Sequence, residues 1–195
     1  MKDNSVKIIV VGASSSLATY VIEELRKQKD VQLTLFLRNK NRLPGNNLSN
    51  ATIIEGNVMD YRVLKDAIKG QDIVYVNLSG DLEAMTNNIV KAMQENAVKR
   101  IIAISSIGIY DPVLKPVLKP YRKLADIIET SELDYTILRP DWFTDADEVD
   151  YVLTQKGEPE KGTALSRKSI ASFISKIVMN PNQHRNENLG ISKPA

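Results

Sequence analysis

VKIIVVGASSSL, residues Val6 to Leu17, decides how the rest of the chain is read. An apolar run, Val6 to Val11, passes into a Gly/Ser turn, Gly12-Ala13-Ser14-Ser15-Ser16, and a helical pattern follows from Leu17 to Lys27. A helix that starts fresh after a strand offers unpaired N–H groups and the positive end of its dipole. In α/β proteins this is where a pyrophosphate is held. The turn's small residues fall at Gly12, Ser15 and Ala18. Gly12 makes the tight bend, and Ala18 is small enough for close helix–strand contact. The hydroxyls of Ser14, Ser15 and Ser16 either donate to phosphate oxygens or cap the helix, and the two roles are compatible.

Outward from that turn, short apolar runs alternate with helical stripes. Strands are expected at Lys7–Val11, Gln32–Leu37, Thr52–Glu55, Ile73–Leu78, Arg100–Ser105 and Tyr135–Leu138. Leu17, Tyr20, Val21 and Leu25 form one stripe, and Met85, Ile89 and Met93 another. Ile170, Phe173, Ile174, Ile177 and Val178 form the cleanest. Alternation of this kind predicts an α/β fold, a doubly wound parallel sheet with helices on both faces. All 195 residues fit one domain, with residues 140–195 contributing a small substrate pocket. Pro112-Val113-Leu114-Lys115 is repeated as Pro116-Val117-Leu118-Lys119, and prolines this dense postpone a helix until Pro120.

Bulk properties exclude several classes. A 43% hydrophobic and 26% charged composition is that of a folded globular protein, and scattered charges netting +2 argue against a nucleic-acid surface. Cysteine is absent and His184 is the single histidine, so thiolate chemistry and a histidine metal cluster are excluded. No apolar run reaches membrane-spanning length or signal-peptide form, so a cytoplasmic protein acting on a small molecule is expected.

The end of the second expected strand discriminates between coenzymes. An acid about 20 residues beyond the turn ordinarily accepts the ribose 2′-OH of NAD. Here Leu37 is followed by Arg38, Asn39, Lys40 and Arg42, and no acid occurs from Val31 through Ile54. A cationic strand end suits a 2′-phosphate, with Arg38 and Asn39 beside it, so NADP(H) is the expected cofactor. Other strand ends supply the remaining wall: Asn57 and Val58 near the adenine, then Asn77, Leu78 and Ser79 near the ribose and pyrophosphate.

The turn, ISSIGIYD (104–111), SELDYTILRPDWFTD (131–145) and LSRKSIASFI (165–174) together resemble the atypical short-chain dehydrogenase/reductases, specifically their small NAD(P)H-binding, NmrA-like group. The resemblance runs from Val6 to about Pro194. It implies a Rossmann fold in which a serine polarises a carbonyl, a tyrosine passes the proton, and a lysine steadies the tyrosine and the nicotinamide ribose. Ser106 falls on the serine position with Ser105 beside it, and Lys123 falls on the lysine position. Pro140, Trp142 and Phe143 follow the sixth strand, where relatives shape the nicotinamide and substrate pocket. One departure matters: the place four residues before Lys123, which relatives fill with tyrosine, holds Lys119. Tyr110 and Tyr121 are the stand-ins, without the family's spacing. An NADPH-dependent reductase of a small carbonyl, quinone or flavin-like acceptor is expected, the alternative being a non-catalytic NADP(H)-sensing protein.

Overall fold

The computed structural model describes residues 5–43, 48, 50–160 and 162–195. Six strands, β1 (Val6–Val11), β2 (Val31–Leu37), β3 (Ala51–Glu55), β4 (Ile73–Val76), β5 (Arg100–Ile104) and β6 (Asp134–Pro140), lie parallel in the order β3-β2-β1-β4-β5-β6. Four helices make the crossovers: α1 (Ser16–Arg26), α2 (Tyr61–Ile68), α3 (Leu82–Glu95) and α4 (Lys119–Glu129). The strand–helix alternation is thus a single-domain α/β Rossmann-type sheet.

Each buried strand presents successive side chains to opposite faces, which divides the core in two. Ile8, Val10, Leu35, Tyr75, Ile102 and Leu138 face α1 and a fifth helix, α5 (Arg167–Met179). Ile9, Val11, Phe36, Val74, Val76 and Ile101 face α2, α3 and α4. Leu17, Val21 and Leu25 are buried from α1 and Ile170, Phe173, Ile174 and Ile177 from α5, so the two stripes meet as spaced. Each such side chain contributes about 1.5–3 kcal/mol of burial. Helix α4 begins at Lys119 with Pro120 in its first turn, after a 3-10 turn at Pro116–Leu118.

The C-terminal quarter departs from expectation. After β6 come β7 (Phe143–Thr144), β8 (Val152–Gln155), β9 (Leu165–Ser166), α5 and β10 (Glu187–Ser192). β10 pairs in parallel with β6, and β8 closes the eight-stranded sheet antiparallel to β10, while β7 and β9 pair separately. Residues 140–195 therefore build sheet and core as well as any pocket. β10 also explains why β6 is longer than its expected Tyr135–Leu138: Arg139 and Pro140 find partners in Gly190 and Ile191.

Candidate functional site

Strand order reverses between β1 and β4, and a cleft opens there at the carboxyl ends of the strands, the place for a ligand in open α/β sheets. It holds a cavity of about 150 Å³. Gly12, Ser14 and Ser15 line it from the β1–α1 turn, Arg38 and Arg42 from beyond β2, Asn57 and Val58 from beyond β3, and Asn77, Leu78 and Ser79 from beyond β4. Phe36, Leu37, Gly56 and Met85 complete the lining.

Close approach of backbones shapes one wall. Gly12 has φ +92°, and a Cβ there would overlap the Asn77 carbonyl oxygen and stand 3.0 Å from Leu78 Cδ2. At Gly56 a Cβ would stand 2.7 Å from the Phe36 ring and 2.8 Å from Val63 Cγ1. Ser15 is the N-cap of α1, its Oγ accepting the Ala18 N–H at 3.3 Å while its hydroxyl proton is still available to a ligand. Asn88 on α3 donates to the Val58 carbonyl at 3.1 Å and anchors the β3–α2 loop. Burial holds the Tyr75 phenol well above its ordinary value, so beneath this wall it stays neutral.

Nine of the sequence-predicted binding residues thus share one cavity: Gly12, Ser14, Ser15, Arg38, Asn57, Val58, Asn77, Leu78 and Ser79. Ser16, Leu17, Asn39, Ser105, Lys123, Pro140, Trp142 and Phe143 are not in its lining. Ser16 is exposed at the start of α1, and the Leu17 side chain is buried in the core. Asn39 turns its Oδ1 to the Asn41 N–H at 2.9 Å. Pro140 is buried in the sheet, Trp142 is 81% exposed, and Phe143 lies 5.2 Å beneath the Arg167 guanidinium. Arg42, Gly56 and Met85 joined the lining without being singled out as site residues. For Arg42 the signal was present in the basic run after β2.

The catalytic candidates Ser105, Ser106, Tyr110 and Lys123 each have partners within the protein. Ser105 is buried, its Oγ donating to the Tyr121 carbonyl at 3.1 Å, which ties the end of β5 to the first turn of α4. Ser106, half-buried, donates to the Ile107 carbonyl at 3.1 Å. Tyr121 is half-buried against the core face formed by α2, α3 and α4. The Lys123 side chain is 57% exposed, and its ammonium lies 3.8 Å from Glu83 on α3. Tyr110 is held elsewhere: its hydroxyl accepts from Asn188 Nδ2 at 2.8 Å and faces Glu129 at 3.5 Å. Arg122, Arg139 and Lys156 surround its ring at 4.6, 5.3 and 4.8 Å. Burial, then the Glu129 carboxylate, push the Tyr110 phenol above its ordinary value despite those cations. A proton shuttle needs the opposite shift.

The acidic run after β7 is stapled down. Asp145 accepts from Arg167 at 2.6 Å and from Tyr20 at 3.2 Å; Asp147 pairs with Lys168, and Glu148 with Lys193 at 2.8 Å. Each partner lies on α1, at the start of α5 or just past β10, so the run is a joint between elements.

A cleft with backbone approach on one side and guanidinium groups on another defines a Rossmann-type dinucleotide-binding protein. The chain belongs to the NAD(P)H-binding family, whose model matches residues 12–181. Over 97% of its length it is similar, at 43% identity and a TM-score of 0.90, to a Rossmann-fold NAD(P)-binding family protein from Shigella flexneri, of which 94% is covered. At 24% identity it shares the fold of a short-chain dehydrogenase/reductase from Veillonella parvula solved in complex with NADP, with a TM-score of 0.89 and 97% and 95% of the two chains covered. At 17% identity it shares the fold of an anaerobillin reductase from Escherichia coli O157:H7, with a TM-score of 0.81 and 96% and 97% covered. The cradle at Gly12 and the two arginines of the lining fit NADP, the coenzyme present in the Veillonella parvula structure. Among the described residues no helix is long and apolar enough to cross a membrane.

Proposed function

We propose that this chain is an NADPH-dependent oxidoreductase that reduces a small planar acceptor, a carbonyl compound, quinone or flavin. The observation that carries the coenzyme choice is the lining beyond β2: Arg38 and Arg42 face the cavity, and among the described residues no carboxylate does. A 2′-phosphate would find two guanidinium groups there, and a bare 2′-OH would find no acid to accept its hydrogen bond. Gly12 lets the backbone approach the pyrophosphate, Ser14 and Ser15 offer hydroxyl donors to it, and the first turn of α1 adds N–H groups that the helix leaves unpaired. The chemistry supplied by the coenzyme when bound is hydride transfer, which needs positioning above all.

The engagement of Tyr110 and Lys123 elsewhere bears on the acceptor. With the Tyr110 phenol made a weaker acid by burial and Lys123 beside Glu83, a substrate whose proton comes from water suits this site better than a ketone that needs a protein acid. The motifs at 104–111 and 131–145 support placing the chain in the small NmrA-like group of short-chain dehydrogenase/reductases, as a cytoplasmic protein that acts on a small molecule and not on nucleic acid.

The same engagement favours a second reading, an NADP(H)-sensing protein that binds without turnover. The deciding experiment follows NADPH absorbance with a panel of quinones, flavins and aldehydes. Consumption above the enzyme-free rate supports the reductase; tight NADPH binding with no consumption across the panel replaces it with the sensor.

A further inference from the structure

The turn that carries the two arginines is held from the neighbouring strand. β3 ends at Glu55, in register with Leu37 at the end of β2. From there the Glu55 carboxylate reaches the 38–42 turn: Oε1 accepts the Lys40 N–H at 3.0 Å, and Oε2 lies 3.6 Å from the Lys40 ammonium. Asn39 Oδ1 accepts the next N–H, that of Asn41, at 2.9 Å. These are the leading N–H groups of the 3-10 turn Lys40–Arg42, which a turn this short cannot satisfy internally.

This arrangement sorts three neighbouring cations. Lys40 goes to Glu55 and is absent from the cavity lining, while Arg38 and Arg42, on either side of it in sequence, both face the cavity. Resting on the assignment of that cavity to NADP(H), we propose that Glu55 is a positioning residue for coenzyme discrimination: it caps the 38–42 turn so that Arg38 and Arg42 converge on the ribose 2′-phosphate. The device is geometric. The Glu55–Lys40 ion pair is exposed and weak, whereas the bond to the backbone N–H is charge-assisted and fixes where the turn runs. An unpartnered carboxylate at the end of β3 would repel the phosphate, and Lys40 neutralises it.

Calorimetric titration of wild type, Glu55→Ala, Glu55→Gln and Arg38→Ala with NADPH and with NADH tests this. Glu55→Ala removes the cap, and NADPH affinity falls about five- to tenfold while NADH affinity stays within about twofold. Glu55→Gln keeps an amide oxygen for the Lys40 N–H, so its NADPH affinity stays within about threefold of wild type. Glu55→Ala that binds NADPH as tightly as wild type, or Gln and Ala variants equally weak, overturns the positioning role. If Arg38→Ala leaves the NADPH-to-NADH ratio unchanged, the 2′-phosphate assignment itself fails, and that outcome is read independently of any Glu55 variant. Thermal melts of each variant separate lost binding from lost folding.

Discussion

No side chain fits at Gly12, because the carbonyl oxygen of Asn77, at the end of the neighbouring strand, occupies the place a Cβ would take. The relationship crosses the switch point of the sheet, and it brings the β1–α1 turn against the end of β4. Gly12→Ala would meet both that overlap and a φ of +92°. The two costs together predict a loss of about 2–4 kcal/mol in urea unfolding, with NADPH binding lost in calorimetry. A variant as stable as wild type would show that the turn moves freely.

Arg38→Ala weakens NADPH by about ten- to hundredfold, the value of a lost charge-assisted contact of about 1.5–3 kcal/mol, and leaves NADH nearly unchanged. Arg42→Ala acts in the same direction. Side-by-side titrations with the two coenzymes check this, and equal weakening of both would contradict it.

Tyr110→Phe changes turnover by less than about twofold but lowers stability by about 1 kcal/mol, because Asn188 Nδ2 loses one of the two oxygens it donates to and keeps only Glu129 Oε1, at 2.8 Å. Steady-state rates and denaturant midpoints, measured on the same preparation, separate the two effects. A rate collapse without a stability change would return this tyrosine to the list of proton donors.

Arg139 is 1% exposed, and Glu160 bridges it, at 2.8 Å from Nε, to the Gly108 N–H at 3.1 Å. Removing the carboxylate leaves a buried guanidinium short of its counter-charge and frees the loop that carries Ser106. Glu160→Ala is expected to cost about 2–3 kcal/mol, whereas Lys27→Ala, which breaks the exposed pair with Glu24, costs less than about 0.5 kcal/mol. Chemical unfolding of the two variants compares them directly.

The pair between Lys65 and Glu95, 2.5 Å apart, joins α2 to α3. The Lys65 hydrogen bond pulls Glu95 below its ordinary carboxylate value, and the same bond lifts Lys65 above its own. The stabilisation is therefore complete above the ordinary carboxylate value and fades as pH falls through Glu95's depressed one. At the alkaline end it is complete below the ordinary ammonium value and fades as pH rises through Lys65's raised one. Melting wild type and Glu95→Gln across pH should give a gap at neutrality that closes towards both acid and strong base.

The parallel core and the residues that line the cleft were legible in the sequence because both are written locally. Strands buried on both faces are unbroken apolar runs, and the groove lies wherever those runs end. β10 and β8 were not, since ENLGIS and VLTQ carry few apolar residues and take their strand form from β6 and from each other. The catalytic side was the least legible. Tyr110 finds its partner in Asn188, 78 residues away, and Lys123 finds Glu83 on another helix; no local pattern encodes such pairings. Glu55 escaped notice because it belongs to β3, although it acts on the loop after β2.

β10, which follows both β6 and β8 in the chain, lies inside the sheet between them. Until it is synthesised, β6 has an open edge and β8 has no neighbour in the main sheet. Ribosome-bound intermediates should therefore show protected amides in β1 to β5 well before β8, and a chain stopped ahead of Glu187 would present two unpaired edges to its surroundings. The topology makes synthesis of β10 a condition for closing the sheet.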